Sequence, residues 1–425
     1  MVEEQPELKR SSGQRPGHEK RMLRCLMLES IKNVRIIQRL QTSPWYFRLR
    51  QYLPVAEPGY VDDRDKIENA EIVTIDWPAH ISKPRIGIVR DYDEFPRWTK
   101  YCRFFERNSF PHDFYDFHSH DWIEHARGFD IIVGIVSNEP HDLQEIRTKY
   151  YFLERFLGKT CYPGVDHVML YEDKNLEAYI SQVSHLPFVN TYVSHDKDDA
   201  LRLVENLTYP VVCKIVPASA SVGVELVRTL RHSRKIVEQA FSRNGRGTHV
   251  VYARQKNYVY FQDYVPNDGY DIRAIVVANW VFGYYRKVPE GDFRASGMHL
   301  VEKRELPAEA MRIARQVNDI VRSPMLVVDM LHGLDGKYYV IEFSPICQME
   351  FPEQLHVNGV PGVYVFDDDG AFHFVEGRYW VHELALREFL LKDYLPKVTK
   401  CDVPREAMAE MPEGGPCPTT LESGE

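Results

Sequence analysis

A lysine placed inside an apolar strand constrains this chain more than any other feature. Tyr209-Pro-Val-Val-Cys-Lys214-Ile-Val reads as a short buried strand with a charge in its middle. An ammonium there is costly unless an anion compensates it. The residues that follow, Pro217-Ala-Ser219-Ala-Ser221-Val-Gly223-Val, are small. Such a loop can bring backbone N–H groups close to phosphate oxygens. A second apolar run, Val222 to Val227, comes next. Cation and cradle together point to a site for a nucleoside triphosphate.

The 425 residues suffice for two or three domains, and a hydrophobic content of 44% is enough for ordinary cores. The net charge of −9 argues against a nucleic acid or an anionic membrane as the main partner, so any phosphate site must be made locally. Seven scattered cysteines include no Cys-x-x-Cys pair, which fits reduced thiols better than disulfides or zinc. His112, His118 and His120 have no metal-ligand spacing with nearby cysteines. No apolar stretch reaches the ~18 residues of a membrane span, and the polar N-terminus lacks a signal-peptide core. A cytoplasmic protein is expected.

Residues 1–83 read as an extension with a basic, helix-like stretch at 21–53. Residues 84–165 alternate short buried strands (Arg85–Arg90, Phe129–Val136) with helices (98–107, 149–157), the pattern of a small open α/β domain. Helices are expected at 172–183, 196–206, 307–321 and 379–394, strands within 250–265, and a hairpin over 270–286. Residues 401–425 are expected to be disordered.

Leu326-Val-Val-Asp329-Met and Tyr339-Val-Ile-Glu342-Phe-Ser344 are apolar strands, each interrupted by an acid. If Gly333 faces Gly336 across the turn, residue 329 lies opposite residue 340. Glu342 then sits one diagonal step from Asp329 on the same face, roughly 7–8 Å away at Cα. Ser344 shares that face because side chains alternate. Two carboxylates and a hydroxyl converging there could hold one or two Mg²⁺ ions between phosphates. The alternative is a pair of acids facing water.

At this point the chain resembles an ATP-grasp enzyme over about residues 84–350, most closely the branch of glutathione synthetase and the RimK-like ribosomal-protein glutamate ligase. Asp173-Lys174 resembles the early phosphate lysine, and Tyr209 to Lys214 resembles the second, on its strand. Leu186-Pro187 with Thr191 resembles the strand that enters the central subdomain. Ser219, Ser221 and Gly223 lie in what resembles the loop that closes over ATP. Gln262-Asp263-Tyr264-Val265 resembles the hinge whose backbone reads the adenine edge, with Asp263 in place of the commoner Glu. Asp271-Ile-Arg273 resembles the family's Asp-x-Arg element. Arg286 and Arg294 resemble the arginines facing phosphate and acyl intermediate, with Ser296 where Asn is usual. Asp329 and Glu342 resemble the metal acids, and Ser344 replaces the usual Asn.

The resemblance implies an α/β (α+β) architecture: an open α/β pre-ATP-grasp domain at 84–165, then two α+β subdomains, 166–260 and 261–400, clamping ATP. It implies ATP with Mg²⁺ or Mn²⁺, an acyl-phosphate intermediate, a small-molecule or peptide carboxylate and an amine acceptor, no nucleic-acid partner, and a homo-oligomer (dimer or tetramer). Lys174 and Lys214 would neutralise phosphates, and Arg286 and Arg294 would stabilise the transferring group. Arg273 has an ion pair with Asp271 as its structural alternative, and His299 a structural role. Cys347 to His356, with Gln348, Glu350 and Gln354, is expected to line the acceptor pocket, with a surface loop as the alternative. Two other readings remain: a kinase of the same fold, and an ATP-binding regulatory protein with weak catalysis.

Overall fold

The computed structural model describes residues 59–67, 69–216, 223–247, 254–295, 300–349, 352–367 and 369–401. The stretches 21–53 and 402–425, and residues Ser219, Ser221, Ser296, His299 and Glu350, lie outside them. The chain forms two compact units. Residues 189–264 make the first; residues 58–188 with those from 265 onward make the second.

In chain order, the second unit begins with β1 (Ile86–Ile88), α1 (Trp98–Arg107), β2 (His112–Phe114), α2 (Trp122–Arg127), β3 (Ile131–Val133), α3 (Pro140–Arg155), β4 (Thr160–Tyr162), α4 (Val165–Leu170) and α5 (Lys174–Ser184). Strands β2-β1-β3-β4 form a parallel sheet in that order. Its central strands are apolar throughout because both faces are covered, as the short Ile/Val runs require. The expected helix at 149–157 proves to be the end of α3, which starts at Pro140, a residue suited to a first helical turn.

The first unit follows: β5 (Thr191–Ser194), α6 (Lys197–Glu205), β6 (Val211–Cys213), β7 (Glu225–Val227), α7 (Leu230–Ala240), the short pair β8 (Arg246–Gly247) and β9 (Arg254–Gln255), and β10 (Val259–Asp263). Its sheet has the order β5-β10-β6-β7 and is antiparallel. Val211, Cys213, Val259 and Phe261 pack with Ile236 and Val237 of α7 and Val204 of α6. Asp196 and Thr229 cap α6 and α7 by accepting N–H bonds from Asp199 and His232.

The chain returns to the second unit through β11 (Asn267–Val277), β12 (Trp280–Lys287), β13 (Val301–Glu302), α8 (Ala308–Val321), β14 (Leu326–Gly333), β15 (Tyr338–Ser344), β16 (His356–Val357), β17 (Val360–Phe366), β18 (Phe372–Glu376), α9 (Val381–Glu388) and α10 (Leu395–Cys401). These strands form a second sheet, β15-β14-β11-β12-β17-β16, with β13 and β18 on its margins. One face of β11 and β14, carrying Ile272, Ala274, Val276, Val328 and Met330, packs on Ala310, Ala314 and Val317 of α8. The expected 379–394 helix divides into α9 and a π-helical turn, Phe389–Tyr394.

His382 of α9 is fully buried, its Nε2 3.3 Å from the Cys347 carbonyl oxygen. Burial, with Lys100 and Arg97 nearby, lowers its pKa from 6.5 to about 3. The folded value lies below the unfolded one, so stability is complete above pH 6.5 and falls as pH drops toward about 3. Neighbouring Glu383, pushed up to about 7 by burial against Arg103, acts in the opposite sense. Replacing His382→Gln should therefore shrink the loss of melting temperature between about pH 7.5 and about pH 5 relative to the parent protein; an equal loss in both would show that His382 titrates normally.

Candidate active site

In the second unit the sheet changes character midway along one face. Asp271, Arg273, Ile275 and Val277 of β11 project to the same side because strand side chains alternate. Ile275 lies opposite Val327 and Phe282, and these join Val277 in the apolar core formed with α1 and α9. Toward the start of β11 the same face becomes ionic. Arg273 lies opposite Asp329, Asp329 opposite Glu342, and Asp271 opposite Arg286.

The hairpin register expected from the turn is corrected here. Residue 340 pairs with Met330, not Asp329, and Asp329 pairs directly with Glu342. A β-bulge inserts Ile341 between them. Bulges re-aim side chains in this way: an unbroken ladder would have set Ile341 against Asp329. The shared face of Asp329, Glu342 and Ser344 stands, and the two acids are direct cross-strand neighbours rather than diagonal ones.

The acids and arginines form a continuous ladder. Arg273 grips Asp329 with two bonds, Nε–Oδ1 at 2.9 Å and a terminal nitrogen to Oδ2 at 2.8 Å. Arg286 reaches the same Oδ2 at 2.8 Å and holds Asp271 with two further bonds, 2.7 and 2.8 Å. Arg273 thus pairs with Asp329, and Asp271 belongs to Arg286. Burial works against charge on Asp329, but its two guanidinium partners hold the carboxyl far below the usual range. Burial raises Asp271.

Lys174 opens α5, whose N-terminus is capped by Asp173 accepting the Leu176 N–H at 3.0 Å. The ammonium is buried, 3.2 Å from Glu342 and 3.8 Å from Glu172. Burial disfavours its charge, yet the carboxylates of Glu342, Glu172 and Glu177 outweigh that cost and raise its pKa. Glu177 in turn accepts the Phe343 N–H at 3.0 Å, tying the helix to β15 beside Glu342. Neither Glu172 nor Glu177 stands out in the sequence, since acids are common around the first turn of any helix. Glu172 is nevertheless unusual: it holds a left-handed backbone (φ 60°), and its Oε2 is buried without a hydrogen-bond partner. Burial raises its pKa.

Other expected residues have their own surroundings. Ser344 donates its hydroxyl to the Ile346 carbonyl at 2.7 Å. Arg294 forms a two-bond pair with Asp292 of its own loop, 3.0 and 2.8 Å, apart from the Asp329 ladder. The Val265 carbonyl accepts a bond from Asn267. Gln348 is exposed, whereas Gln354 is buried.

In the first unit, Lys214 follows β6 directly and is buried. Its N–H donates to the Tyr260 carbonyl, and its ammonium lies 6.0 Å from the centre of the Tyr260 ring. Gly223 has φ 69°, and a Cβ there would come within 2.7 Å of Ile215, so only glycine fits. The Gln262 amide donates to Thr191 Oγ1 at 3.0 Å, and the Asp263 carboxylate accepts from Asn190 at 2.9 Å. Tyr264 ends this unit.

Asp329, Glu342 and Ser344 supply hard oxygens of the kind Mg²⁺ prefers. Among the described residues no group of three or more acidic, histidine or cysteine side chains is arranged for a metal. The buried Oε2 of Glu172, without a hydrogen bond and 3.8 Å from the Lys174 ammonium, adds donor capacity on that side.

The described residues form a mixed α/β structure. Residues 172–358 match the RimK-like ATP-grasp domain. Alpha-aminoadipate–LysW ligase LysX of Saccharolobus solfataricus is 26% identical over 274 residues, covering 62% of this chain and 93% of that protein. Among solved structures, a RimK domain ATP-grasp protein from Sphaerobacter thermophilus is similar at 14% identity and a TM-score of 0.43, covering 61% of this chain and 90% of its own. D-alanine–D-alanine ligase from Bacillus anthracis, complexed with ATP, is similar at 18% and 0.44, covering 64% and 88%. Among the described residues no helix is long and apolar enough to cross a membrane.

The ladder makes a stability prediction. Asp329→Ala leaves Arg273 and Arg286 short of a buried counter-charge and should destabilise the second unit by about 3–5 kcal/mol. Ser344→Ala removes one local hydroxyl bond and should cost about 0.5–1.5 kcal/mol. Urea unfolding followed by circular dichroism separates the two; equal costs would refute the ladder.

Proposed function

We propose that this protein is an ATP-dependent, ADP-forming carboxylate–amine ligase that works through an acyl phosphate. The observation that carries the reading is the RimK-like ATP-grasp match over 172–358, which contains Lys174, Lys214, Arg273, Arg286, Asp329 and Glu342 in a single ordered set. The named relatives are themselves ligases: one joins alpha-aminoadipate and LysW, and another forms D-alanine–D-alanine.

In this reading the substrate carboxylate attacks the γ-phosphate of ATP, giving ADP and an acyl phosphate. The amine then adds to the acyl carbon and displaces phosphate. Phosphoryl transfer depends mainly on positioning and charge neutralisation. Lys214 and Lys174 supply compact positive charge to the phosphates, and Arg286 suits planar oxyanions through its fork of donors. Arg294 would join them by exchanging Asp292 for substrate. Gln262 to Val265 would provide backbone groups to the adenine edge, and the segment with Ser219, Ser221 and Gly223 would keep water from the acyl phosphate. Asp329, Glu342 and Ser344, with Glu172 beside them, would hold Mg²⁺, which when bound neutralises phosphate charge. Four cysteines, 102, 161, 213 and 347, are buried and free, which suits a reducing cytoplasm.

Replacing Lys214→Ala should abolish ATP turnover while leaving the melting temperature close to the parent's. The assay follows ADP release with Mg²⁺, ATP and pooled amino acids, short peptides and amino sugars, with product mass naming the bond formed. Unchanged turnover in the variant would remove Lys214 from the site. ADP released with a phosphorylated product and no amide would favour a kinase, and ATP binding without turnover a regulatory protein.

A further inference from the structure

The parallel sheet of the second unit carries a cleft that the ATP-grasp residues do not use. It lies beyond the carboxyl ends of β1 and β2, where the chain leaves Ile88 and Phe114, and encloses about 300 Å³. Ligands of open α/β sheets bind outside the carboxyl ends of the strands, near the point where the strand order reverses. Here the order β2-β1-β3-β4 reverses between β1 and β3, so the cleft, lined by residues that follow β1 and β2, lies one strand to the side of that point. The volume stands at the lower end of small-molecule sites, about 300–1,000 Å³.

Two charged groups of opposite sign line it. The Arg90 guanidinium lies over two rings, 4.0 Å from the centre of Tyr60 and 4.7 Å from that of Phe114. Stacking fixes the plane of the guanidinium and leaves its N–H groups at the edge. Among the described residues no carboxylate pairs with it. Asp116 lies in the same lining and accepts the Ser119 N–H through Oδ1 at 3.2 Å, with no cation paired to it among the described residues. His118 is already engaged with Glu145 at 3.0 Å.

We propose that this cleft binds a small zwitterion, an α-amino acid, with its carboxylate on Arg90 and its ammonium on Asp116. One arginine and one aspartate balance an amino acid with no net charge left over. A phosphate dianion would be undercompensated by Arg90 and repelled by Asp116. A planar carboxylate suits the fork of a guanidinium stacked on rings. In the ligase reading such a molecule is by its chemistry an acyl donor or an amine acceptor. Binding itself does not depend on that reading.

The test is isothermal titration calorimetry of the full chain, without nucleotide, against each common amino acid, its N-acetyl derivative and inorganic phosphate. At least one amino acid should bind saturably, and its N-acetyl derivative should bind at least about tenfold more weakly. Arg90→Leu and Asp116→Asn should each weaken the amino acid at least about tenfold, and Asp116→Asn should leave the N-acetyl derivative unaffected. Both variants should keep the parent's ATP affinity, which separates this site from the ATP-grasp residues. If Arg90→Leu does not fold, Asp116→Asn, an exposed position, decides the question alone. The proposal is overturned if no amino acid binds, if binding survives both substitutions, or if inorganic phosphate binds more tightly than every amino acid.

Discussion

The ionic ladder on this face of the second unit's large sheet hangs on the shared carboxylate of Asp329. It takes three N–H bonds from two arginines, and one of those arginines also holds Asp271. Two acids and two bases alternate, so the buried ladder is neutral overall and each member's charge is met by its neighbour. Such groups are tolerated away from water only when paired and hydrogen-bonded. The ladder is possible because the strands are in register: Asp271 faces Arg286 and Arg273 faces Asp329 across β12, β11 and β14. A slip of one residue would send all four to the face that packs on α8.

The bulge at Ile341 extends that logic to a third strand. By skipping one residue it sets Glu342 beside Asp329 and within reach of Lys174. The helix start is then fixed twice, by the Asp173 cap and by Glu177 accepting the Phe343 N–H. Lys174 therefore gains its position from local capping and from a tertiary bond to the strand that carries its counter-ion.

Much of this was legible in the sequence because it is written in alternation and order. The strand at 85–90, the helix at 98–107 and the two hairpins followed from period and turn residues, and the shared face of Asp329, Glu342 and Ser344 followed from a period of two. The bulge was not legible, because nothing about Ile341 distinguishes an extra residue from a paired one. Strands β16 to β18 were missed since Val360-Pro-Gly-Val carries turn residues inside a strand. The exchange of partners, Arg273 to Asp329 and Asp271 to Arg286, depends on neighbours brought together across strands, and sequence proximity pointed to the wrong pair. Glu172 and Arg90 were likewise silent: one shows itself by a buried oxygen without a hydrogen bond, the other by ring stacking.

A site whose cations are already matched behaves differently from one with bare cations. An anionic ligand reaching Lys174 or Arg286 gains only the difference between its own charge-assisted bonds and those it displaces from Glu342 or Asp271. Affinity then depends on where the released carboxylates go. If they move to a divalent cation accompanying the ligand, cation and anion reinforce each other, and each binds weakly alone. Arg90 is built on the opposite plan. Its charge is oriented by aromatic rings rather than consumed by an acid, so a carboxylate meeting it displaces water and no ion pair.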